Sequence, residues 1–148
     1  MKQDSLYIIM PAYNEEKNIG SVIEQWYPVV EKIGGDSQLV ILNDGSKDGT
    51  YKKIQKYQEK YDRLTGIDKP NEGHGGTILK GYHYAVDAGA DYIFQTDSDG
   101  QTLPEEFWQF WEKRKNCGLL IGYRKKREDG LSRVFVTKVL RLVLFLIF

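Results

Sequence analysis

A single cysteine, Cys117, can form neither an internal disulfide nor a cysteine metal cluster, so a stapled secreted scaffold is excluded. The thiol reads as a small buried apolar group. Only two histidines occur, His74 and His83, too far apart for a zinc site. Neither sign of charge dominates, because 21 Lys and Arg balance 21 Asp and Glu; no large nucleic-acid footprint is expected, and any anion site must be local. No apolar run approaches the ~20 residues that span a bilayer. The most apolar stretch, Val139 to Phe148, is interrupted only by Arg141. Met1 to Ser5 is polar and only a short apolar run precedes Pro11, which does not read as a signal peptide and leaves the cytosolic side as the default. With 41% apolar and 28% charged residues, the 148-residue chain has an ordinary globular composition and fits a single domain over 1–148.

Short β-rich runs alternate with segments of helical period. Leu6 to Met10, Leu39 to Leu42, Leu64 to Ile67, Tyr92 to Gln95 and Leu119 to Ile121 read as five strands. Continuous rather than alternating apolarity in the first two points to strands covered on both faces. Between them, apolar positions recur at helical spacing over Glu15 to Ile33, Asp48 to Tyr61, Thr77 to Ala88 and Pro104 to Arg114. Pro28 should kink or interrupt the first helix, whereas Pro104 sits in a first turn, where its missing N–H costs little. The third helix is expected to turn Ile78, Leu79, Tyr82, Ala85 and Val86 inward. This order predicts an α/β fold, with a mostly parallel sheet and helices on both faces.

Open sheets of this kind bind ligands beyond the carboxyl ends of their strands. Four successive strand ends carry polar, acidic or glycine-rich loops: Pro11 to Glu16, Asn43 to Gly49, Asn71 to Gly76 and Thr96 to Gln101. Asp97 and Asp99 alternate across one residue. Two carboxylates so close repel unless they share a cation or proton, which suits a hard divalent ion such as Mg²⁺ or Mn²⁺ with diphosphate oxygens completing its shell. A solvated turn capping the next helix is the plain alternative. Glycines around His74, ahead of a helix, would let backbone N–H groups approach a phosphate. The run matches neither the P-loop nor the dinucleotide-binding fingerprint. Asp44 can accept from a base N–H or a ribose hydroxyl, and Asp48 is placed to cap the following helix. Asp44 to Gly49 imitates the start of a calcium loop, but Gln55 stands at position twelve instead of Glu, which rejects an EF-hand. Arg124 and Arg133 are placed to meet phosphate oxygens, while Lys125 and Lys126 read as solvated.

Taken together, Ile8 to Glu16, Asn43 to Thr50, Asn71 to Gly75 with Lys80 and Gly81, Gln95 to Gln101 with Pro104 and Glu105, and Ile121 to Arg124 resemble glycosyltransferase family 2, with its Rossmann-like GT-A fold, and within it the polyprenyl-phosphate sugar transferases. The resemblance implies a nucleotide-diphospho-sugar donor, a UDP- or GDP-sugar. It implies that Pro11, Ala12, Tyr13, Glu15 and Asp44 line the base and ribose pocket, with Gly73 and Lys80 near the donor. Asp97, Asp99 and Gln101 would hold Mg²⁺ or Mn²⁺ against the diphosphate. Arg124 and Arg133 would face the acceptor phosphate or the leaving diphosphate as part of the catalytic group. The acceptor would be a polyprenyl phosphate or a glycan, and transfer would be inverting.

Family members typically continue well beyond this length, so the resemblance implies a truncated transferase. Residues 132–148 read as an apolar amphipathic tail that lies in a membrane interface without spanning it, giving a peripheral location at the inner face of the cell membrane. Two other readings stand beside this one. A non-catalytic nucleotide-sugar-binding fragment would use the same cleft. A phosphatase of the haloacid dehalogenase type would use Asp97-Ser98-Asp99-Gly100 as its nucleophile motif, although Gln101 replaces the expected Thr.

Overall fold

The computed structural model describes residues 3–116 and 118–122. The chain divides into two compact units, Met1–Asn116 and Cys117–Phe148. In the first unit, β1 (Leu6–Ala12), α1 (Ile19–Ile33), β2 (Gln38–Asp44), α2 (Thr50–Gln58), β3 (Leu64–Lys69), α3 (Gly73–Asp87), β4 (Tyr92–Gln95) and α4 (Pro104–Lys113) follow in order. The strands form one parallel sheet in the order β3-β2-β1-β4. The expected α/β architecture is borne out.

Alternation along the buried strands sorts the core into two layers. Ile8, Met10, Leu39 and Ile41 face α1, α2 and α4, where Ile23, Trp26, Val30, Ile54 and Phe107 are buried with them. Tyr7, Ile9, Val40 and Leu42 face α3, meeting Ala85. The chain steps from β1 outward to β3, then returns across β1 to place β4 on its other side. That reversal puts a switch point between the carboxyl ends of β1 and β4, where an open sheet forms its ligand crevice.

Pro11 explains how the crevice opens. Its carbonyl accepts the Ser98 hydroxyl at 2.8 Å, so its backbone edge faces β4. The β1–β4 register ends at Ile9 and Gln95, with one further bond from Thr96 N–H to the Ile9 carbonyl, whereas the β1–β2 register runs on through Pro11 and Ala12. Proline has no N–H to continue the ladder on the β4 side, so the strands part there.

Three expectations need correction. Helix α1 runs unbroken through Pro28, because Pro28 and Glu24, whose carbonyl loses its partner, both lie on the exposed face, where water can take the bond. Residues 119–122 form no strand, and Leu119 and Ile121 are 76% and 81% exposed; three apolar residues without a paired neighbour do not define one. Helix α3 begins a turn earlier than expected, at Gly73, and buries Thr77, Gly81 and Ala85. Leu79 and Val86, expected inward, are 55% and 64% exposed, and Tyr82 also reaches solvent. The inward stripe consists of small residues because the helix lies close to the sheet.

Gly81 sets that distance. A Cβ there would fall 2.3 Å from Ile9 Cγ2 and 3.1 Å from Leu42 Cδ1. Gly81→Ala is therefore expected to cost about 1–3 kcal/mol by overpacking. Gly75→Ala, in the same helix with nothing within 4 Å of its added methyl, should be neutral or stabilising. Urea denaturation of both variants checks the contrast; equal midpoints would contradict the close approach.

Candidate active site

The residues that end the four strands line one cleft of about 330 Å³, formed by Pro11, Ala12, Tyr13, Glu15, Asp44, Asn71, Gly73, His74, Asp97, Ser98 and Asp99. Eight residues proposed from the sequence thus come together. Lys80 and Gln101 are not among the lining residues; Lys80 lies exposed on α3, and the Gln101 N–H donates to Asp99 Oδ1 at 2.9 Å. Arg124 and Arg133 lie outside the described residues, as does the 132–148 tail. A broader hollow of about 630 Å³ lies at the opposite ends of the strands, around Tyr7, Gln38 and Arg63. There the Arg63 guanidinium is committed to the Gly35 and Ser37 carbonyls, so the chemistry-bearing loops all belong to the smaller cleft.

The wall made by Tyr13 and Glu15 is held by a clasp between the β1–α1 and β2–α2 loops. Asn14, at φ 55°, donates its N–H to Ser46 Oγ at 2.9 Å and accepts the Lys47 N–H on Oδ1 at 2.8 Å. The Glu15 N–H donates to Thr50 Oγ1 at 2.8 Å, and the Glu16 N–H to Asp48 Oδ2 at 3.2 Å. In return the Gly49 N–H donates to Glu16 Oε2 at 3.1 Å. Asn tolerates the left-handed region better than most residues, which fits Asn14 to this turn. Asp48, expected as the cap, stands one residue before it: the cap of α2 is Gly49, while Asp48 Oδ1 accepts the Thr50 N–H at 3.0 Å and its other oxygen reaches across to Glu16. Burial alone would raise the Asp48 carboxyl. The Thr50 hydroxyl, the Thr50 N–H and the Glu16 N–H outweigh it, and the group sits below its ordinary value.

Asp44 closes the opposite wall. Its Oδ1 contacts Lys69 Nζ and accepts the Glu72 N–H at 2.9 Å, while its own carbonyl accepts the Asn71 amide at 2.8 Å. Burial raises its carboxyl, but the Lys69 ammonium, the Glu72 N–H and the Thr77 hydroxyl hold it below the usual carboxylate range. Because folding lowers this pKa, the stabilisation is present above the unfolded value of about 3.9 and lost as the pH falls through the folded one. Lys69 was not singled out from the sequence, and Asn71 only as the first residue of the glycine-rich run; a lysine at a strand end reads as solvated until the fold buries it.

At the mouth, Ser98 turns inward to the Pro11 carbonyl and leaves its neighbours Asp97 and Asp99 on the cleft side. Asp97 Oδ1 accepts the Gln95 amide at 3.3 Å and lies 3.8 Å from His74 Nε2. Among the described residues, neither carboxylate is paired with a lysine or arginine. Two hard oxygen donors with no lysine or arginine beside them among the described residues suit a divalent cation. No group of three or more His, Cys, Asp or Glu side chains is gathered as a metal cage among the described residues.

A parallel α/β domain with an acidic, glycine-edged cleft at its switch point is the class of molecule this geometry defines. The profile of glycosyl transferase family 2 matches residues 7–137, and the chain belongs to that family. It is 30% identical to the dolichyl-phosphate beta-glucosyltransferase ALG5D of Trichomonas vaginalis, the alignment covering 90% of this chain and 44% of that protein. It is 32% identical to the UDP-N-acetylglucosamine–dolichyl-phosphate N-acetylglucosaminyltransferase of Methanococcus voltae, covering 93% and 59%. The chain thus spans about half the length of the curated relatives it matches. Among solved structures, Staphylococcus aureus TarS 1–349 in complex with UDP-GlcNAc superposes with a TM-score of 0.62 at 21% identity, covering 86% of this chain and 36% of that one. The mannosyltransferase PcManGT from Pyrobaculum calidifontis, in complex with GDP-Man and Mn²⁺, gives a TM-score of 0.55 at 20% identity, covering 64% and 27%. These two likenesses bear on the fold, and they agree with the expected GT-A architecture.

Proposed function

We propose that residues 1–148 supply the donor-binding part of a glycosyltransferase that moves a sugar from a nucleotide-diphospho-sugar to a polyprenyl phosphate, with inversion and with divalent-metal assistance. The observation that carries this reading is the joining of Asp44 and the Asp97–Asp99 pair in one cleft, with the Gly73 turn between them. Asp44 accepts a hydrogen bond from the nucleoside. Tyr13, exposed at the rim, offers its ring face to the base. Gly73, at φ 79° with nothing within 4 Å of where a Cβ would stand, leaves room for phosphate oxygens beside the first turn of α3. Asp97 and Asp99 hold Mg²⁺ or Mn²⁺, which when bound neutralises charge gathering on the departing diphosphate. A lipid-phosphate acceptor is already ionised at neutral pH and needs no strong general base.

The two relatives quoted above carry dolichyl-phosphate in their names, which supports the acceptor class. The Mn²⁺ in the PcManGT complex supports the cofactor class. A lipid acceptor places the protein at a membrane surface, and among the described residues no helix is long and apolar enough to cross one. Calorimetric titration with UDP- and GDP-sugars, with and without Mn²⁺, tests the donor reading: metal-dependent binding of one class is expected, and absence of binding for both contradicts it. Metal-dependent binding without transfer to polyprenyl phosphate would instead favour a non-catalytic nucleotide-sugar-binding role. Membership of glycosyl transferase family 2 leaves the phosphatase alternative without support.

A further inference from the structure

Lys69 is the most deeply buried lysine among the described residues, 4% exposed at the carboxyl end of β3. A buried ammonium must find partners for its charge and its three N–H groups. This one has three acceptors within reach. It contacts Asp44 Oδ1, donates to the Pro70 carbonyl at 2.8 Å and lies 3.3 Å from Glu72 Oε2. Two of its donors are hydrogen-bonded within the fold, and Glu72 meets the remaining side of the ammonium as an ion pair. What it touches is the one cleft carboxylate that the fold buries. Asp44 receives both Lys69 and the Glu72 N–H on the same oxygen, Oδ1, which fixes the plane of the carboxyl group.

We infer that Lys69 is a positioning residue that holds Asp44 as a fixed, acceptor-only group for the nucleoside of the donor. The inference rests on the nucleotide-sugar reading of the cleft. An ionised carboxylate can only accept, so this wall selects a base edge or ribose that presents N–H or O–H. A protonated Asp44 would offer a donor as well and lose that selection. Burial favours the protonated form, and Lys69 is the charge that opposes it. The other charged or titratable groups that line the cleft are Tyr13, Glu15, His74, Asp97 and Asp99, with no lysine or arginine among them, so the ammonium that meets Asp44 comes from Lys69.

Two measurements on the full chain test this. Carbon-13 NMR titration of Asp44 without ligand should place it below the ordinary carboxylate range in the native protein, raise it in Lys69→Met and leave it low in Lys69→Arg. An ordinary value in the native chain, or no change in Lys69→Met, overturns the proposal. If Lys69→Met does not fold, the native titration still decides. UDP and GDP titration should show Lys69→Met weakening the preferred nucleotide by roughly tenfold to hundredfold, the range of one charge-assisted hydrogen bond. The loss should deepen as the pH falls from 8 to 6. In an Asp44→Asn background the same substitution should cost less than about threefold, because its target is gone. Equal losses in both backgrounds would assign Lys69 a general structural role. If the native chain binds neither nucleotide, the donor reading fails, while the titration of Asp44 continues to judge Lys69.

Discussion

Asp97→Ala is expected to lower the proposed glycosyl transfer by about 10²- to 10³-fold, the scale on which removing one preorganised electrostatic group acts on a transition state. The geometry makes the variant informative. Asp97 is half-exposed, and its side-chain partners among the described residues are a 3.3 Å amide contact and a histidine at 3.8 Å, so little packing is lost. Thermal stability should stay within about 0.5 kcal/mol of the native protein. Asp97→Asn keeps the shape and the amide contact while removing the charge, and it should lose Mn²⁺-dependent nucleotide binding to a similar degree. Calorimetry with nucleotide at several Mn²⁺ concentrations reads this even where no acceptor is turned over. Transfer and metal-dependent binding that remain within a few-fold of native in both variants would remove Asp97 from the proposed metal group.

The largest loss of stability is expected from Trp26→Ala. Trp26 lies on α1, 1% exposed, stacked on Phe94 of β4 at 5.6 Å and edge-on to Phe107 of α4 at 6.4 Å. Truncation removes the contacts that join these three elements and leaves a cavity that the neighbouring rings cannot fill, at a cost of about 3–5 kcal/mol. Against a total stability of about 5–15 kcal/mol this is a large share. Each kcal/mol corresponds to about 2–4 °C in a domain of this size, so the midpoint should fall by roughly 6–20 °C. Circular dichroism melting provides the check, and a fall of only a degree or two would show that α4 does not depend on this cluster. Phe94 lies three residues before Asp97, so nucleotide affinity should weaken together with the fold, in contrast to Asp97→Ala.

Periodicity made the elements legible, and it failed where close approach reversed its logic. Over the expected helix from Asp48 to Tyr61, bulky residues do the packing: Tyr51, Ile54 and Tyr57 of α2, with Tyr61 just beyond it, fill the space against the core. On α3 the same rule pointed to Leu79 and Val86, yet the sheet side is made by Thr77, Gly81 and Ala85. A window that weighs large apolar groups is blind to a face selected for smallness. Strand ends were also read short. Pro11, Asn43, Asp44 and Lys69 seemed to be loop residues because they are polar or proline, but they belong to the last turns of the pleat, which makes their placement more rigid than that of a loop. Most of the cleft was visible as four polar strand ends. Lys69 was not, since no local pattern tells a solvated lysine from one that tertiary structure buries against a carboxylate twenty-five residues earlier.

The nitrogen of Pro11 has a consequence for how ligand is met. An opening maintained by side-chain repulsion or by a mobile loop could zip shut in the empty protein and would have to be reopened at some cost in affinity. Here the separation of two strands is written into a covalent ring that has no hydrogen to give, so the empty protein has no hydrogen-bonded closed state at that position to fall into.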